Sequence, residues 1–252
     1  MKEKVLFLGG KKLGKEILES LLQTDDVVGI VTNIEDLNPI WYQSIKPIAD
    51  NNCIPYFAGN INVIKNDIHT LHPKFIICHG YDIIVKPDIL SLVPFGNAIN
   101  IHTGLIDQYR GRYPTVFPII DGKNEAGITI HQMISDVDAG SVYGQSKVPV
   151  ENIDTAKTLY DKCMGVGFTL FERLWYDIKS GKCKSISSDV SHSRLITKKD
   201  FPSLEMKIGD NPDKLDKMIR ALTFPPFPLP YFIINGKKYE IHYKGTTLSK
   251  HL

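Results

Sequence analysis

Residues 5–14 read Val-Leu-Phe-Leu-Gly-Gly-Lys-Lys-Leu-Gly, a short apolar run followed by a glycine turn and the start of a helical pattern. The run at residues 5–8 predicts a buried strand, and the pattern over residues 14–22 predicts the first helix. A strand, a tight turn and a helix in this order open a β-α-β unit. This stretch therefore decides the fold class, provided that the pattern repeats along the chain.

The alternation does repeat over the first 150 residues, which predicts a mostly parallel sheet in a Rossmann-like α/β fold. From Ile128 the pattern becomes antiparallel, with two further strands around a turn at residues 138–140. Thr155 is then positioned to cap a long helix that ends near Ile178. The remaining predicted strands cover residues 27–31, 54–57, 75–78, 98–101, 128–134 and 142–150, and the remaining helices cover residues 41–51 and 64–71.

The last 72 residues predict a small extension rather than more sheet. A helix is expected over residues 212–222, followed by a proline-rich segment and a hairpin that turns at Asn235-Gly236, a strong signal for a tight turn. A lone hairpin cannot bury its own apolar face. We therefore expect a catalytic unit at 1–180 and an extension at 181–252 that forms a homodimer; docking of the hairpin on the first unit is the alternative.

Composition excludes several classes of protein. The 252 residues carry 30 Lys and Arg against 28 Asp and Glu, and 42% are hydrophobic. A near-neutral chain of this kind is neither disordered nor a dedicated nucleic-acid binder. Its four cysteines lack metal-ligand or disulfide spacing, and its apolar runs are too short to cross a bilayer. We expect a cytoplasmic globular protein without a metal and without a membrane or nucleic-acid partner.

The chemistry is expected where a buried strand ends in Asn100-Ile101-His102. Strand alternation places Asn100 and His102 on one face, at the sheet edge where α/β proteins bind ligands. Asp138 follows 38 residues after Asn100, in the turn between the two added strands. An amide, an imidazole and a carboxylate together would form an acid-base site with an oxyanion donor. The alternative is a core histidine that only completes hydrogen bonds.

The glycine turn after the first strand is a second candidate site. A nicotinamide fingerprint is excluded because Lys11 stands where a glycine is required, and the second strand lacks a closing acidic residue. Gly10, Lys11 and Lys12 could still cradle a phosphate at the start of the helix. A plain tight turn is the alternative.

The stretches 100–114, 127–133 and 136–140 together resemble the catalytic core of the 10-formyltetrahydrofolate-dependent formyltransferases. The resemblance implies that Asn100, His102 and Asp138 are catalytic and that N10-formyltetrahydrofolate donates the formyl group. It also implies that the pteridine of the donor binds to two segments. These are the loop of Gly80, Tyr81, Asp82 and Ile83, which acts largely through backbone groups, and the turn 134–138, which includes Asp136.

The tail at 220–227 most resembles that of the sugar-nucleotide N-formyltransferases, which implies a nucleotide-linked amino-dideoxy sugar as acceptor. Examples are dTDP-4-amino-4,6-dideoxyglucose and its 3-amino analogue, used in surface polysaccharide such as O-antigen. Thr103, Arg110 and Tyr113 are the expected acceptor contacts, with an arginine for the diphosphate and Tyr113 for the hexose. Thr103 and Asp107 depart from the residues that many members carry, which leaves the acceptor side open. Four alternatives remain: formylation of glycinamide ribonucleotide, formylation of methionyl-tRNA, hydrolysis of the formyl donor, and a catalytically silent nucleotide-binding module.

Overall fold

A computed structural model describes residues 2–245 of the chain. Its centre is a seven-stranded sheet in the order β3-β2-β1-β4-β5-β7-β8. Two two-stranded sheets, β6-β9 and β10-β11, lie outside it. The strands are β1 (Lys4–Gly9), β2 (Asp26–Thr32), β3 (Tyr56–Ala58), β4 (Phe75–His79), β5 (Ala98–His102), β6 (Tyr109–Gly111), β7 (Glu125–Gln132), β8 (Val142–Pro149), β9 (Arg194–Ile196), β10 (Tyr231–Ile234) and β11 (Lys237–Glu240). The helices are α1 (Lys11–Thr24), α2 (Lys46–Asn51), α3 (Lys65–Thr70), α4 (Pro87–Leu90), α5 (Val116–Ile120), α6 (Ala156–Lys179) and α7 (Pro212–Ala221), with 3-10 turns at Ile34–Leu37, Ile61–Val63 and Lys198–Asp200.

The first five strands of the sheet are parallel and the last two are antiparallel. Strands β3, β2, β1, β4 and β5 run in one direction, β7 pairs antiparallel with β5, and β8 pairs antiparallel with β7. The mostly parallel α/β fold and the antiparallel addition are therefore confirmed. The carboxyl ends of β1, β4 and β5 are neighbours at one edge of the sheet, where ligands bind in this class of fold.

Helices α1 and α6 cover one face of the sheet. In α1 the apolar residues at positions 13, 17, 18 and 21 form a stripe that is fully buried. Helix α6 begins at a capping box: the side chain of Thr155 accepts from the backbone of Thr158, and Thr158 returns a bond to the backbone of Thr155. The predicted cap and length of α6 are confirmed, and this helix closes the core over β7 and β8.

Two parts of the fold differ from the expectation. The helix expected from residue 41 begins at Lys46, because Trp41 instead packs its ring edge-to-face against Tyr160 and Phe224. The three-residue strand β6 was not expected; it pairs in parallel with β9, which lies far along the chain. The pairing of β6 with β9 ties the segment after β5 to the C-terminal part of the chain.

The C-terminal hairpin forms as expected, with β10 and β11 joined at Asn235 and Gly236, both at positive φ (49° and 74°). Strand β10 also exchanges backbone bonds with the segment before it, where Met206 N–H donates to the Tyr231 carbonyl at 2.8 Å. Ile196 and Ala221 join the main core. Residues 246–252 of the expected extension lie outside the described residues. Within residues 2–245, the helices are too short or too polar to span a membrane.

Candidate active site

Asn100, His102 and Asp138 meet at the carboxyl end of β5. Asn100 donates from Nδ2 to Oδ1 of Asp138 at 3.0 Å, and Nδ1 of His102 lies 3.3 Å from Oδ2 of the same carboxylate. The shared strand face of residues 100 and 102 brings both side chains to the turn after β7, as their spacing predicts. The structure thus assembles the three residues around one carboxylate.

The imidazole of His102 is oriented by this contact and is almost enclosed. Its Nδ1 faces a carboxylate, so Nδ1 carries the proton and Nε2 holds the lone pair. Nε2 is buried and has no hydrogen-bond partner among residues 2–245. Burial lowers the pKa of His102, although the carboxylate of Asp138 acts in the opposite direction. The ring is therefore neutral at pH 7 and has the form that accepts a proton at Nε2.

Asp138 is held as a carboxylate. Burial alone would raise its pKa, but the imidazoles of His102 and His131 and the backbone N–H of Gly111 outweigh burial and hold the pKa of Asp138 well below its usual value. The Gly111 N–H donates to Oδ2 at 2.9 Å. The backbone of Asp138 adopts φ 46°, a left-handed conformation that aspartate tolerates better than most residues. The turn therefore aims an ionised carboxylate at the end of β5.

His131 belongs to the same cluster, although the sequence analysis gave it no role. It lies directly opposite Asn100 in the β5-β7 register. Its Nε2 is 3.3 Å from both Asn100 Nδ2 and Asp138 Oδ1. The available signal was strand alternation, because a histidine opposite Asn100 in an antiparallel pair must share its face.

The loop expected to bind folate, Gly80 to Ile83, is held by Asn33. The Asn33 side chain donates to the Gly80 carbonyl at 2.8 Å and accepts from the Asp82 N–H at 2.9 Å. The Tyr81 hydroxyl is also engaged, donating to the Gly59 carbonyl at 2.5 Å and accepting from Ile61 N–H at 2.9 Å. Asp136, at the opposite turn, is exposed. Both expected folate segments are present, and the one at residues 80–83 is rigidly supported.

The structure limits the expected phosphate cradle at the glycine turn. The Gly10 N–H already donates to the His79 carbonyl at 3.1 Å. The buried carboxylate of Asp36 lies beside the turn, since Oδ1 is 3.3 Å from the position that a Cβ on Gly10 would occupy. A negative charge at the start of α1 repels a phosphate there. Lys12 lies on the other side of α1 and lines a depression between α1 and α6 of about 550 Å³.

Lys11 does face the site. Its ammonium lies 3.6 Å from the carboxylate of Asp82, in the expected folate loop. Its aliphatic chain crosses Gly80, where a Cβ would be 2.9 Å from the Lys11 Cδ. The structure therefore separates the two lysines that the sequence analysis grouped, and only Lys11 borders the cleft.

The segment after β5 supplies the other expected acceptor contacts. Arg110 donates from Nη1 to the Val137 carbonyl at 3.3 Å, and Arg112 donates from Nη2 to the Asp82 carbonyl at 3.4 Å. With Lys11, they place three cations around one cleft. Thr103 is buried, and the ring of Tyr113 packs on Phe201 at 4.7 Å between centroids, so that face of Tyr113 is already covered.

The cluster has the groups for acyl transfer. A neutral imidazole can accept a proton, an ionised carboxylate can stabilise the resulting imidazolium, and a primary amide can donate to a developing oxyanion. Within the described part of the chain, His, Cys, Asp and Glu side chains form no group of three that could hold a metal ion.

Comparisons with known proteins agree with this chemistry. A family model described as formyl transferase matches residues 3–173. A methionyl-tRNA formyltransferase from Malacoplasma penetrans is 30% identical over 258 residues, covering 98% of this chain and 79% of that protein.

Among solved structures, a 4-N formyltransferase from Francisella tularensis gives a TM-score of 0.80 at 20% identity, covering 98% of this chain and 99% of its own. An N-formyltransferase from Helicobacter canadensis, crystallised with folinic acid and dTDP-3-aminofucose, gives 0.79 at 22% identity, covering 94% and 86%. These likenesses confirm the fold, and the family match confirms the resemblance noted in the sequence. The chain belongs to the formyl transferase family.

Proposed function

We propose that this protein transfers a formyl group from N10-formyltetrahydrofolate to the amine of a nucleotide-linked amino-dideoxy sugar. The observation that carries the transfer chemistry is the convergence of Asn100 and His102 on Asp138 at the carboxyl end of β5. The donor is a formyl-folate, which is written here as a substrate. Its pteridine is assigned to the loop at residues 80–83 and to the turn that includes Asp136.

In the proposed reaction the sugar amine attacks the formyl carbonyl, a new C–N bond forms, and the bond between the formyl carbon and N10 breaks. Asn100 donates to the oxyanion that develops on the formyl oxygen. His102 takes the proton that the amine loses, and Asp138 stabilises the imidazolium. A proton then returns to N10, so the products are an N-formyl sugar and tetrahydrofolate.

The geometry sets one condition on this sequence of steps. Nε2 of His102 is covered by Gly104 and Pro114, because a Cβ on Gly104 would be 2.6 Å from Nε2 and 3.3 Å from Pro114 Cβ. Direct proton transfer to Nε2 therefore requires the segment that carries these two residues to move aside when the substrates bind.

The three cations around the cleft support a phosphorylated acceptor. Lys11, Arg110 and Arg112 come from two separate segments and contact the loop at Asp82 or the turn at Val137. Arginine pairs well with phosphate oxygens. The likeness to sugar N-formyltransferases along almost the whole described chain supports a sugar nucleotide.

A second candidate acceptor is methionyl-tRNA. The 30% identity to a methionyl-tRNA formyltransferase favours it, and a phosphate-rich tRNA would also suit the three cations. We rank it second because the C-terminal helix and hairpin accompany the core here as they do in the sugar enzymes whose structures match.

One assay separates these candidates. Purified protein is supplied with N10-formyltetrahydrofolate and, in turn, dTDP-linked 3-amino and 4-amino sugars, glycinamide ribonucleotide and methionyl-tRNA, and tetrahydrofolate release is followed by absorbance. Release that depends on an amino-sugar nucleotide is the expected result. Release that depends only on methionyl-tRNA would move the function to the second candidate, and release without any amine would indicate a hydrolase.

We also propose that residues 181–252 form a dimerisation extension of the catalytic unit at 1–180 and that the protein acts in the cytoplasm. The hairpin supports the dimer because Ile233, Ile234 and Tyr239 are exposed on it. A place in surface polysaccharide synthesis follows from the proposed acceptor.

A further inference from the structure

His131 is a buried ionisable residue that the proposed reaction does not use. It is 2% exposed and lies on β7, so it cannot reach a substrate bound in the cleft. Yet both of its ring nitrogens have polar neighbours at hydrogen-bond distance or slightly beyond. A buried histidine that only filled space would not need this arrangement of partners.

The Nδ1 atom of His131 fixes the state of the ring. It lies 2.8 Å from the Gln132 carbonyl oxygen, which can only accept, so Nδ1 carries a hydrogen. In the neutral ring the lone pair is then on Nε2. That atom is 3.3 Å from Nδ2 of Asn100 and can accept from it.

The amide nitrogen of Asn100 has two hydrogens and two acceptors. One hydrogen goes to Asp138 Oδ1 at 3.0 Å and the other faces His131 Nε2 at 3.3 Å. The amide plane is thus held at two points. The contact with His131 is the longer of the two, so this hydrogen is the one that turns to the formyl oxyanion at the lower cost.

We propose that His131 is a positioning residue of formyl transfer, whose Nε2 orients the Asn100 amide so that one N–H is ready for the oxyanion. This inference rests on the proposed function. It adds a residue that acts through Asn100 and contacts no substrate.

Two substitutions separate the ring nitrogens. In His131→Asn the side-chain amide can still donate to the Gln132 carbonyl from near the Nδ1 position, but nothing replaces Nε2. In His131→Gln the longer side chain places its terminal group near the Nε2 position. We expect His131→Asn to lower kcat by about 10- to 100-fold, the usual effect of a misplaced catalytic group, with KM for both substrates nearly unchanged. His131→Gln is expected to recover most of the lost kcat.

His79→Asn is the matched control. His79 is also 2% exposed, and its Nδ1 lies 2.8 Å from the Ile101 carbonyl, but its buried Nε2 has no partner within the described residues. The same substitution there should leave kcat within about twofold. Equal kcat in His131→Asn and His131→Gln, whether normal or reduced, would overturn the proposal.

A ¹⁵N spectrum of the histidine rings tests the same point without substrate. For His131 we expect a protonated Nδ1 and an unprotonated Nε2 at neutral pH; the opposite tautomer would overturn the proposal even if a variant failed to fold. Because the spectrum needs no acceptor, its outcome is separate from the proposed function, which fails if the wild-type protein transfers no formyl group to any acceptor offered.

Discussion

Gly104 lies flat against the imidazole of His102, so close that a Cβ at position 104 would be 2.6 Å from Nε2. No real Cβ contact is this short, and Pro114 leaves no space on the other side. The ring of His102 is therefore held between Asp138 at Nδ1 and a glycine at Nε2. The absence of a side chain at residue 104 is a requirement of the site.

Replacing Gly104 by alanine should displace the His102 ring. We expect kcat to fall by about 100-fold, as for a catalytic group moved by an ångström, with a smaller effect on KM. Steady-state kinetics with the best acceptor from the panel measures both. The control is Gly165→Ala on the exposed side of α6, where alanine should raise stability by about 1 kcal/mol and leave kcat unchanged. Normal kinetics in Gly104→Ala would show that the ring tolerates movement.

Asp138→Asn should reduce kcat by at least ~10², because it removes the charge that stabilises the imidazolium of His102. His102→Asn should have an effect of similar size, since both act on one proton transfer. Asp136→Asn, two residues away and exposed, should stay close to wild type in kcat. A dead Asp136→Asn beside an active Asp138→Asn would contradict the assignment of the turn.

Acid should destabilise the protein through its buried histidines. Burial lowers the pKa of His79 to about 4, from an ordinary value of 6.5. The unfolded chain therefore binds a proton at His79 that the folded chain refuses, so stability is complete above pH 6.5 and falls as pH drops toward 4. The loss at His79 approaches about 3 kcal/mol.

Urea unfolding at pH 7.5 and pH 4.5 measures this loss. His79→Asn keeps a donor for the Ile101 carbonyl and removes the titration, so its stability should fall less over the same interval. An equal fall in the variant and the wild type would assign the acid sensitivity to other groups, among them His102, whose pKa burial also lowers.

Much of this site could be predicted from the sequence, and the rest depended on long-range contacts. Asn100 and His102 share a face because of strand periodicity, which is a local property. The pairing of β6 with β9 could not be predicted, because Tyr109–Gly111 is too short to show a pattern and its partner lies far along the chain. Likewise, the helix expected from Trp41 begins only at Lys46, since the Trp41 ring packs against residues distant in sequence.

Lys11 and Lys12 should separate in their effects on the acceptor. Lys11 borders the cleft beside Asp82, whereas Lys12 lines the depression between α1 and α6. Lys11→Ala should raise KM for a phosphorylated acceptor by about 10-fold, the value of one hydrogen bond to a charged group, and leave KM for the formyl donor unchanged. Lys12→Ala serves as the matched control and should change neither KM. Equal effects of the two variants would place the acceptor's phosphates elsewhere.

The homodimer is expected to depend on the apolar side chains of the C-terminal hairpin. Ile233 and Ile234 are 43% and 42% exposed on β10, and the described part of the chain offers them no place in either core cluster. Exposed isoleucines on a two-stranded ribbon are costly in water unless a partner covers them. Light scattering of the full-length protein at micromolar concentration should give about twice the monomer mass of 28.4 kDa.

Ile233→Glu with Ile234→Glu should convert this particle to a monomer, because two charges cannot be buried at the same contact without partners. Ile208→Glu tests whether any exposed isoleucine has this effect, since Ile208 is 69% exposed but lies outside the hairpin, and it should leave the dimer intact. A wild-type particle near 28.4 kDa would contradict the dimer. A dimer that survives the hairpin substitutions would move the interface to another surface of the chain.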